Sequence, residues 1–166
     1  MRQLFRGRWL AIVALLGALA ACDDQMNPFR DPSRIPLGST REFTIAHLGQ
    51  PTAIYKLESG ERLQYSRAPS GYEVNNIDLD AEGRVTAVTQ VLDEQRFADT
   101  IQVGIWTEED VERTYGKPGK ITRVQSFDGV LWEWRYKNNN ETRILSIYID
   151  PRGIVRRYGV IDDYPA

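Results

Sequence analysis

An internal repeat constrains the fold of this chain more than any other feature. The segments 40–51 and 107–118 carry threonine, glycine and proline at matching positions, and the match continues downstream with a separation that drifts only from about 67 to 70 residues. A period of this length exceeds the roughly 20 to 50 residues of solenoids and propellers, so the sequence predicts a duplicated module. Other matching pairs are Gly60 and Gly129, Leu63 and Trp132, Asp80 and Asp150, and Gly83 and Gly153.

Each copy of the repeat begins with a predicted short helix whose ends are marked by residue type. In the second copy Thr107 can cap the first turn with its hydroxyl, and Gly116, followed by a proline, ends the helix. In the first copy Ser39 or Thr40 is the candidate cap and Gly49 the stop. The caps and stops therefore predict one helix near residues 40–49 and one near 107–116.

The second copy has an additional predicted helix at about 93–101, because Phe97 and Ile101 lie four residues apart on one helical face. The first copy has no room for such a helix. Four runs of alternating apolar and polar residues then follow in each copy, which is typical of strands that bury one face. These runs lie near 52–58, 61–67, 73–80 and 84–92, and near 119–127, 130–137, 142–150 and 153–161.

The predicted fold class is therefore α+β, with two tandem modules that each pack short helices on an antiparallel β-meander in two layers. The first module is expected over residues 37–92 and the second over 93–166. Each would contribute its own apolar sheet face, covered by its own helices.

The first 21 residues have the composition of an export signal. Three arginines precede an apolar stretch, Trp9–Ala21, whose thirteen residues fall short of the roughly 20 needed to span a bilayer. Removing these arginines from the 21 basic residues leaves 18 against 23 acidic ones, a net charge near −5. That balance argues against nucleic acid as a partner.

The end of the signal, Leu19-Ala-Ala-Cys22, resembles the lipobox of bacterial lipoproteins. The resemblance implies cleavage before Cys22 and a diacylglyceryl group on its thiol. A single cysteine in an exported chain cannot form an internal disulfide, and lipidation would consume its thiol. The alternative is an ordinary secretory peptide that leaves Cys22 as a free thiol. Residues 22–36, with three prolines and no apolar period, are predicted to be a flexible tether.

Two aspartates offer the main candidate chemistry. The segment from Asp78 to Gly83 imitates the start of an EF-hand loop, but position twelve is Thr89 rather than the bidentate glutamate that calcium needs. Asp78 and Asp80 would also lie about 7 Å apart on one strand face, a spacing open to an acid and base pair. Solvent-facing acids beside a turn explain both residues without either function.

The remaining residue types argue against catalysis. His47 is the one histidine and is expected to be a partly buried helix residue, so metal clusters and histidine-dependent nucleophiles are disfavoured. We therefore predict no cofactor, no metal and no enzymatic activity. The aromatic residues could form a partner-binding patch, although core packing is the favoured interpretation. These residues are Trp106, Trp132, Trp134 and Tyr136.

The pattern from Ile101 to Pro118, followed by Phe127-Asp-Gly and Trp132-Glu-Trp, resembles the SmpA/OmlA family of lipoproteins, known as BamE. The resemblance covers about residues 37–164 as two copies, the second clearer than the first. It implies a non-enzymatic accessory lipoprotein at the periplasmic face of the outer membrane, where the family helps the machinery that inserts β-barrel proteins. Only the lipidated Cys22 carries over as a site.

Two departures from the family leave alternatives open. The family's assembly factor is usually a single module, whereas tandem copies are reminiscent of the β-lactamase inhibitor protein fold, so an inhibitor-type module that grips a periplasmic enzyme or a cell-wall component is the second hypothesis. An envelope hydrolase that uses Asp78 and Asp80 is the third. Asp23 directly after the cysteine resembles an inner-membrane retention signal of enteric bacteria, which leaves the inner membrane as an alternative location.

Overall fold

A computed structural model describes residues 31–163, which form two four-stranded antiparallel sheets and three helices, with 20% of the described residues helical and 43% in strands. The predicted signal, Cys22 and most of the predicted tether lie outside the described residues. The helices are α1 (Arg41–Leu48), α2 (Glu94–Thr100) and α3 (Glu108–Tyr115). The first sheet contains β1 (Ala53–Leu57), β2 (Gly60–Ser66), β3 (Val74–Leu79) and β4 (Val85–Gln90). The second contains β5 (Lys120–Thr122), β6 (Val130–Asn138), β7 (Glu141–Ile149) and β8 (Val155–Asp162).

The three helices begin and end close to the predicted residues. The Thr40 hydroxyl accepts a hydrogen bond from the Phe43 amide, and the Thr107 hydroxyl accepts one from the Asp110 amide within a full capping box. Gly49 and Gly116 end α1 and α3 with nearly the same backbone angles, φ 84° and ψ −171° against φ 72° and ψ −175°. Only glycine adopts this region at little cost.

The tight turn before the last strand of each sheet has the same hydrogen bonds. The Asp80 carboxylate accepts from the amides of Glu82 and Arg84, and the Asp150 carboxylate accepts from those of Arg152 and Ile154. A β-bulge directly precedes the turn in both sheets. The two sheets are thus built on one local plan.

Each sheet buries one face against helices from its own half of the chain. In the first sheet, Leu63 and Ile77 are buried with the partly buried Ile45 and Leu48 of α1 packed on them. In the second, large aromatic side chains fill the space between the sheet and helices α2 and α3. The buried aromatic residues of this cluster are Phe97, Tyr115, Trp132, Trp134 and Tyr136.

The opposite face of the first sheet carries polar side chains that bond to the C-terminal end of α3. Arg62 donates to the carbonyl of Arg113, Gln64 to the carbonyls of Glu112 and Arg113, and Asn76 to that of Thr114. The last carbonyls of a helix have no partner within the helix, so this face of the sheet acts as the cap. Nearby, Val74 and Val91 of the first half belong to the apolar cluster of the second.

The structure is consistent with an α+β arrangement of two modules, but the prediction that each module is a two-layer unit of its own helices and sheet is wrong. The first sheet has α1 on one face and the end of α3 on the other. Helix α3 therefore lies between the two sheets and contacts both of them. The sequence pattern misled the prediction because Gln64 and Asn76 alternate with apolar residues, as solvent-facing residues do. Both side chains are nevertheless buried, because they donate hydrogen bonds to helix carbonyls. Strands also outweigh helices in the described residues.

The fold also begins earlier than the predicted tether allows. Asp31 caps a single turn of 3-10 helix, Pro32–Arg34, and Ile35 is 7% exposed in the core of the first sheet. Ile101, which follows α2, is 6% exposed in the second core. The 3-10 turn therefore precedes α1 in the first half as α2 precedes α3 in the second half. It occupies the position where the sequence left no room for a longer helix.

Candidate functional site

The candidate site is the face of the second sheet that points away from α2 and α3, called here the outer face. Because alternate residues of a strand point to opposite faces, and Trp132, Trp134, Leu145 and Ile147 point inward, the residues between them point outward. The register aligns these residues in three rows across β6, β7 and β8. The rows are Leu131, Tyr148 and Arg157; Glu133, Ser146 and Gly159; and Arg135, Ile144 and Ile161.

The middle row forms the floor of a shallow trough. Ser146 is only 5% exposed because its small side chain lies between the longer side chains of Ile144 and Tyr148. A Cβ built on Gly159 would meet no atom within 4 Å, so the space above this residue is open. On one flank Ile161 is 54% exposed. The outer face therefore combines a low polar floor with apolar and aromatic walls.

An aromatic and cationic cluster forms one wall. The Arg157 guanidinium lies 3.9 Å from the centre of the Tyr148 ring, and Phe127 packs edge-on against the same ring with a centroid distance of 5.3 Å. Stacking holds the guanidinium flat while its edge stays free to donate. On the other side, Tyr72 reaches from the loop between β2 and β3 to contact Lys137, whose ammonium lies 4.9 Å from its ring centre.

The exposed charge on this face is positive. The side chains of Arg135 and Lys120 are 52% and 70% exposed, whereas their partner carboxylates, Asp163 and Glu133, are only 18% and 14% exposed. A group that approaches from solvent thus meets cations first. This local surface contrasts with the formal net charge of −2 for the whole chain.

The corresponding face of the first sheet is occupied by α3, and comparison of the two faces is informative. The donors Arg62, Gln64 and Asn76 that hold helix carbonyls align with Leu131, Glu133 and Ser146 in the second sheet. Leucine and glutamate cannot donate to a carbonyl. The outer face of the second sheet therefore lacks two of the three donors that hold the end of α3 on the first sheet.

The two candidate aspartates have structural contacts. Asp78 lies in β3 and receives two hydrogen bonds from Arg62, at 2.6 and 2.8 Å. Asp80 follows the strand and orders the turn through the amides of Glu82 and Arg84. The turn interpretation of this segment is confirmed, and Asp78 is part of an ion pair rather than a free solvent-facing acid. Within residues 31–163 no group of three or more ligand-type side chains is placed to hold a metal ion.

The other singled-out residues lie where the favoured interpretations put them. His47 is partly buried and stacks on Phe43 with a centroid distance of 3.8 Å. Trp132, Trp134 and Tyr136 are core residues. Trp106 is partly buried against the same core. Among the described helices none is both long and apolar enough to cross a membrane.

Sequence reasoning did not identify the outer face as a site. Its residues were assigned to the solvent side of the strands, and nothing local distinguishes a solvated side from one that binds a partner. The available signal was the change of residue type between the copies, from Arg62 and Gln64 to Leu131 and Glu133. That change could be interpreted only with the strand register, which shows which residues lie side by side on the outer face.

Comparison with known proteins gives no family. No family model matches the chain, and the search of curated proteins gives no match. Among solved structures, a DUF4309 family protein (YjgB) from Bacillus subtilis matches at 13% identity over 75% of this chain and 79% of that one, with a TM-score of 0.31. A likeness at that level carries no argument, so the interpretation rests on the residues of this chain.

Proposed function

We propose that this protein is a lipid-anchored accessory protein of the bacterial envelope that holds a protein partner on the outer face of its second sheet. The partner is expected to present an acidic, partly apolar surface. The observation that carries the proposal is the set of exposed cations over partly buried carboxylates on a face that its own helices leave uncovered. Tyrosine and arginine, both present here, dominate the energetics of protein interfaces.

The lipid anchor supports the same proposal from the sequence. The arginine-rich leader and the lipobox-like end at Cys22 favour attachment to a membrane from the periplasmic side. Two or more acyl chains hold a protein firmly, since each buried methylene contributes about 0.8 kcal/mol. The proposed location is the periplasmic face of the outer membrane, with the inner membrane as the alternative raised by Asp23. Mass spectrometry of the exported protein should find diacylglycerol on Cys22.

The resemblance to the SmpA/OmlA family suggests which partner to test first. Members assist the machinery that inserts β-barrel proteins into the outer membrane, so we expect a component of that machinery, or a protein that acts with it, to occupy the outer face. An accessory role of this kind requires contact surfaces rather than a catalytic group. The inhibitor-type alternative would use the same face for a periplasmic enzyme.

Site-specific photocrosslinking in intact cells tests the proposal. A photoreactive residue at Ile161 lies on the outer face, and one at Thr86, an exposed position of β4, serves as the matched control. We expect a protein adduct of one defined mass from position 161 and none from position 86. Identification of the adduct by mass spectrometry should return a protein with an acidic surface patch.

A charge reversal makes the test specific. Arg157→Glu should reduce the adduct about tenfold, because it removes a guanidinium and places a carboxylate against an acidic partner. Lys56→Glu, on an exposed position of the first sheet, should leave the adduct unchanged. Lipid adducts alone from position 161, or equal adducts with and without the Arg157 substitution, would overturn the proposal.

A further inference from the structure

The last strand of the second sheet, β8, is an edge strand with one side open. The sheet runs in the order β5, β6, β7, β8, so within residues 31–163 β8 pairs along its length with β7 alone. The opposite edge of the same sheet is β5, which has three residues, whereas β8 has eight. A short edge strand limits pairing with other chains, and a long one offers a template for it. The open side of β8 is therefore a place where another strand can add.

The backbone groups on this open side follow from one hydrogen bond. The Asp163 amide donates to the Thr142 carbonyl, in line with β7. Because alternate residues of an antiparallel strand bond to the same neighbour, every second residue from 163 back to 157 bonds to β7. The N–H and C=O groups of Tyr158, Val160 and Asp162 consequently point to the open side.

The loop before α3 already occupies the beginning of the open side. The Gly104 amide donates to the Val155 carbonyl at 2.8 Å, and the Val155 amide donates to the Trp106 carbonyl at 2.9 Å. Thr107 and Ile154 complete this contact as an isolated antiparallel bridge. An added strand is therefore confined to the part of β8 that follows its bulge, from about residue 157 onward.

The side chains beside the open edge are incompletely covered on both faces of the sheet. On the inner face, Tyr158 and Val160 are partly buried at the border of the core. On the outer face, Ile161 is 54% exposed, and the space above Gly159 is open. A strand added here would remove apolar surface from water on both faces, which favours its addition.

The charges of this segment indicate which strand fits. Residues 156 and 157 are arginines, and residues 162 and 163 are aspartates. When two copies of the segment pair in antiparallel orientation, the arginine end of each copy lies beside the aspartate end of the other. Opposite charges across an antiparallel pair stabilise it, whereas like charges directly opposite destabilise it. The segment 156–163 is thus complementary to itself.

We infer that two copies of this protein pair through β8 in antiparallel orientation, with Val160 of one copy opposite Val160 of the other. This centre sets Tyr158 of each copy opposite Asp162 of the other. All three residues whose backbone groups point to the open side then exchange hydrogen bonds across the junction. The partner is a second copy of this chain, and the product is one continuous sheet of eight strands.

The side chains of the outer face agree with the same centre. It sets Arg157 of each copy opposite Asp163 of the other, so that opposite charges meet at both ends of the junction. It also sets Gly159 opposite Ile161, so that the exposed isoleucine lies beside the open space above the glycine. The second copy adds in the plane of the sheet, so two outer faces come to lie side by side.

Cysteine crosslinking of the full exported protein in vesicles of phosphatidylethanolamine and phosphatidylglycerol tests the inference. Residues opposite each other in a hydrogen-bonded antiparallel pair have Cα atoms about 5.5 Å apart, which a disulfide can bridge. Val160→Cys should therefore form a covalent dimer under a mild oxidant at least tenfold faster than the wild type, which is the blank for Cys22. A rate equal to that of the wild type would overturn the inference.

Arg156→Cys is the matched control on the same strand. Position 156 is exposed, whereas position 160 is only partly exposed, so random collision would crosslink position 156 at least as fast. In the paired strands each residue 156 lies four residues from the centre, so the two cysteines would be about 27 Å apart. We expect little dimer from Arg156→Cys, and a rate equal to that of Val160→Cys would contradict the pairing.

A charge reversal tests the orientation of the two strands. Arg157→Asp, added to Val160→Cys, places a carboxylate opposite Asp163 at both ends of the junction and should slow dimer formation about tenfold. Circular dichroism should show an unchanged fold, and an undiminished rate in the folded variant would refute antiparallel pairing. The vesicles contain no other protein, so failure of this test would leave the proposed partner of the outer face unaffected. A photoadduct between two copies would have twice the mass of this protein, which distinguishes it from an adduct with that partner.

Discussion

Replacing Asn76 by leucine tests how the two halves are joined. Asn76 is 3% exposed, and its amide donates to the Thr114 carbonyl at 2.9 Å and accepts from the Gln64 amide at 3.1 Å. In a continuing helix the Thr114 carbonyl would accept from residue 118, but Pro118 has no N–H. The carbonyl therefore depends on Asn76.

The magnitude follows from these contacts. A buried carbonyl without a partner costs about 1–3 kcal/mol, and the lost bond to Gln64 adds about 0.5–1.5 kcal/mol, because Gln64 keeps its bonds to helix carbonyls. The added apolar surface of leucine returns about 1 kcal/mol. We expect Asn76→Leu to lower the free energy of unfolding by about 0.5–3.5 kcal/mol, with about 2 kcal/mol at the middle of that range.

Urea unfolding of the exported protein, followed by tryptophan fluorescence and far-ultraviolet circular dichroism, measures this change. Trp132 and Trp134 report on the second core, so loosening at the junction should shift both signals together. Lys56→Leu, at an exposed position of the same sheet, should change stability by no more than about 0.5 kcal/mol. A loss of less than about 0.5 kcal/mol for Asn76→Leu would refute the view that α3 is capped by the first sheet.

Two further substitutions test other parts of the fold. Gly116→Ala should destabilise the protein by about 1–3 kcal/mol from backbone strain, and by more than its counterpart Gly49→Ala. The reason is that a Cβ at position 116 would lie 2.9 Å from the Gln64 side-chain oxygen, whereas one at position 49 would meet no atom within 4 Å. Equal losses in the urea midpoints of the two variants would count against close packing at the junction. Hydrogen bonds from the Ile154 amide and the Arg156 and Arg152 groups lower the pKa of Asp150 to about 2, so its stabilising effect is present at neutral pH and is lost as pH falls from near 4 to near 2. Asp150→Asn should therefore unfold more easily at pH 7 and show a flatter loss of stability over that acid range, and parallel curves for variant and wild type would contradict the assignment.

Local structure was predictable because the chain marks it with local chemistry. Thr107 and Gly116 bound a helix through contacts within a few residues, and alternation along β6 and β7 separates inward from outward side chains. The sharing of α3 between the sheets was not predictable, because it depends on where the end of one module meets the side of another. Gln64 and Asn76 have the pattern of solvated residues and become buried only through that long-range contact.

The candidate site, like the fold, could be predicted from the sequence only in part. The strands that build the outer face, and the side to which each residue points, could be predicted from alternation. The concentration of exposed cations over covered carboxylates could not, because Lys120 and Glu133 meet only through strand pairing, and Arg135 meets Asp163 only in the folded chain.

Oxidative footprinting of the protein in native envelopes and after purification tests the docking face most directly. Tyr148 reports on the outer face and Tyr55 on the first sheet, and both residues are partly exposed in the isolated chain. We predict that Tyr148 is protected in the envelope and becomes reactive on purification, while Tyr55 reacts equally in both. Equal reactivity of Tyr148 in the two preparations would contradict the claim that a partner covers this face.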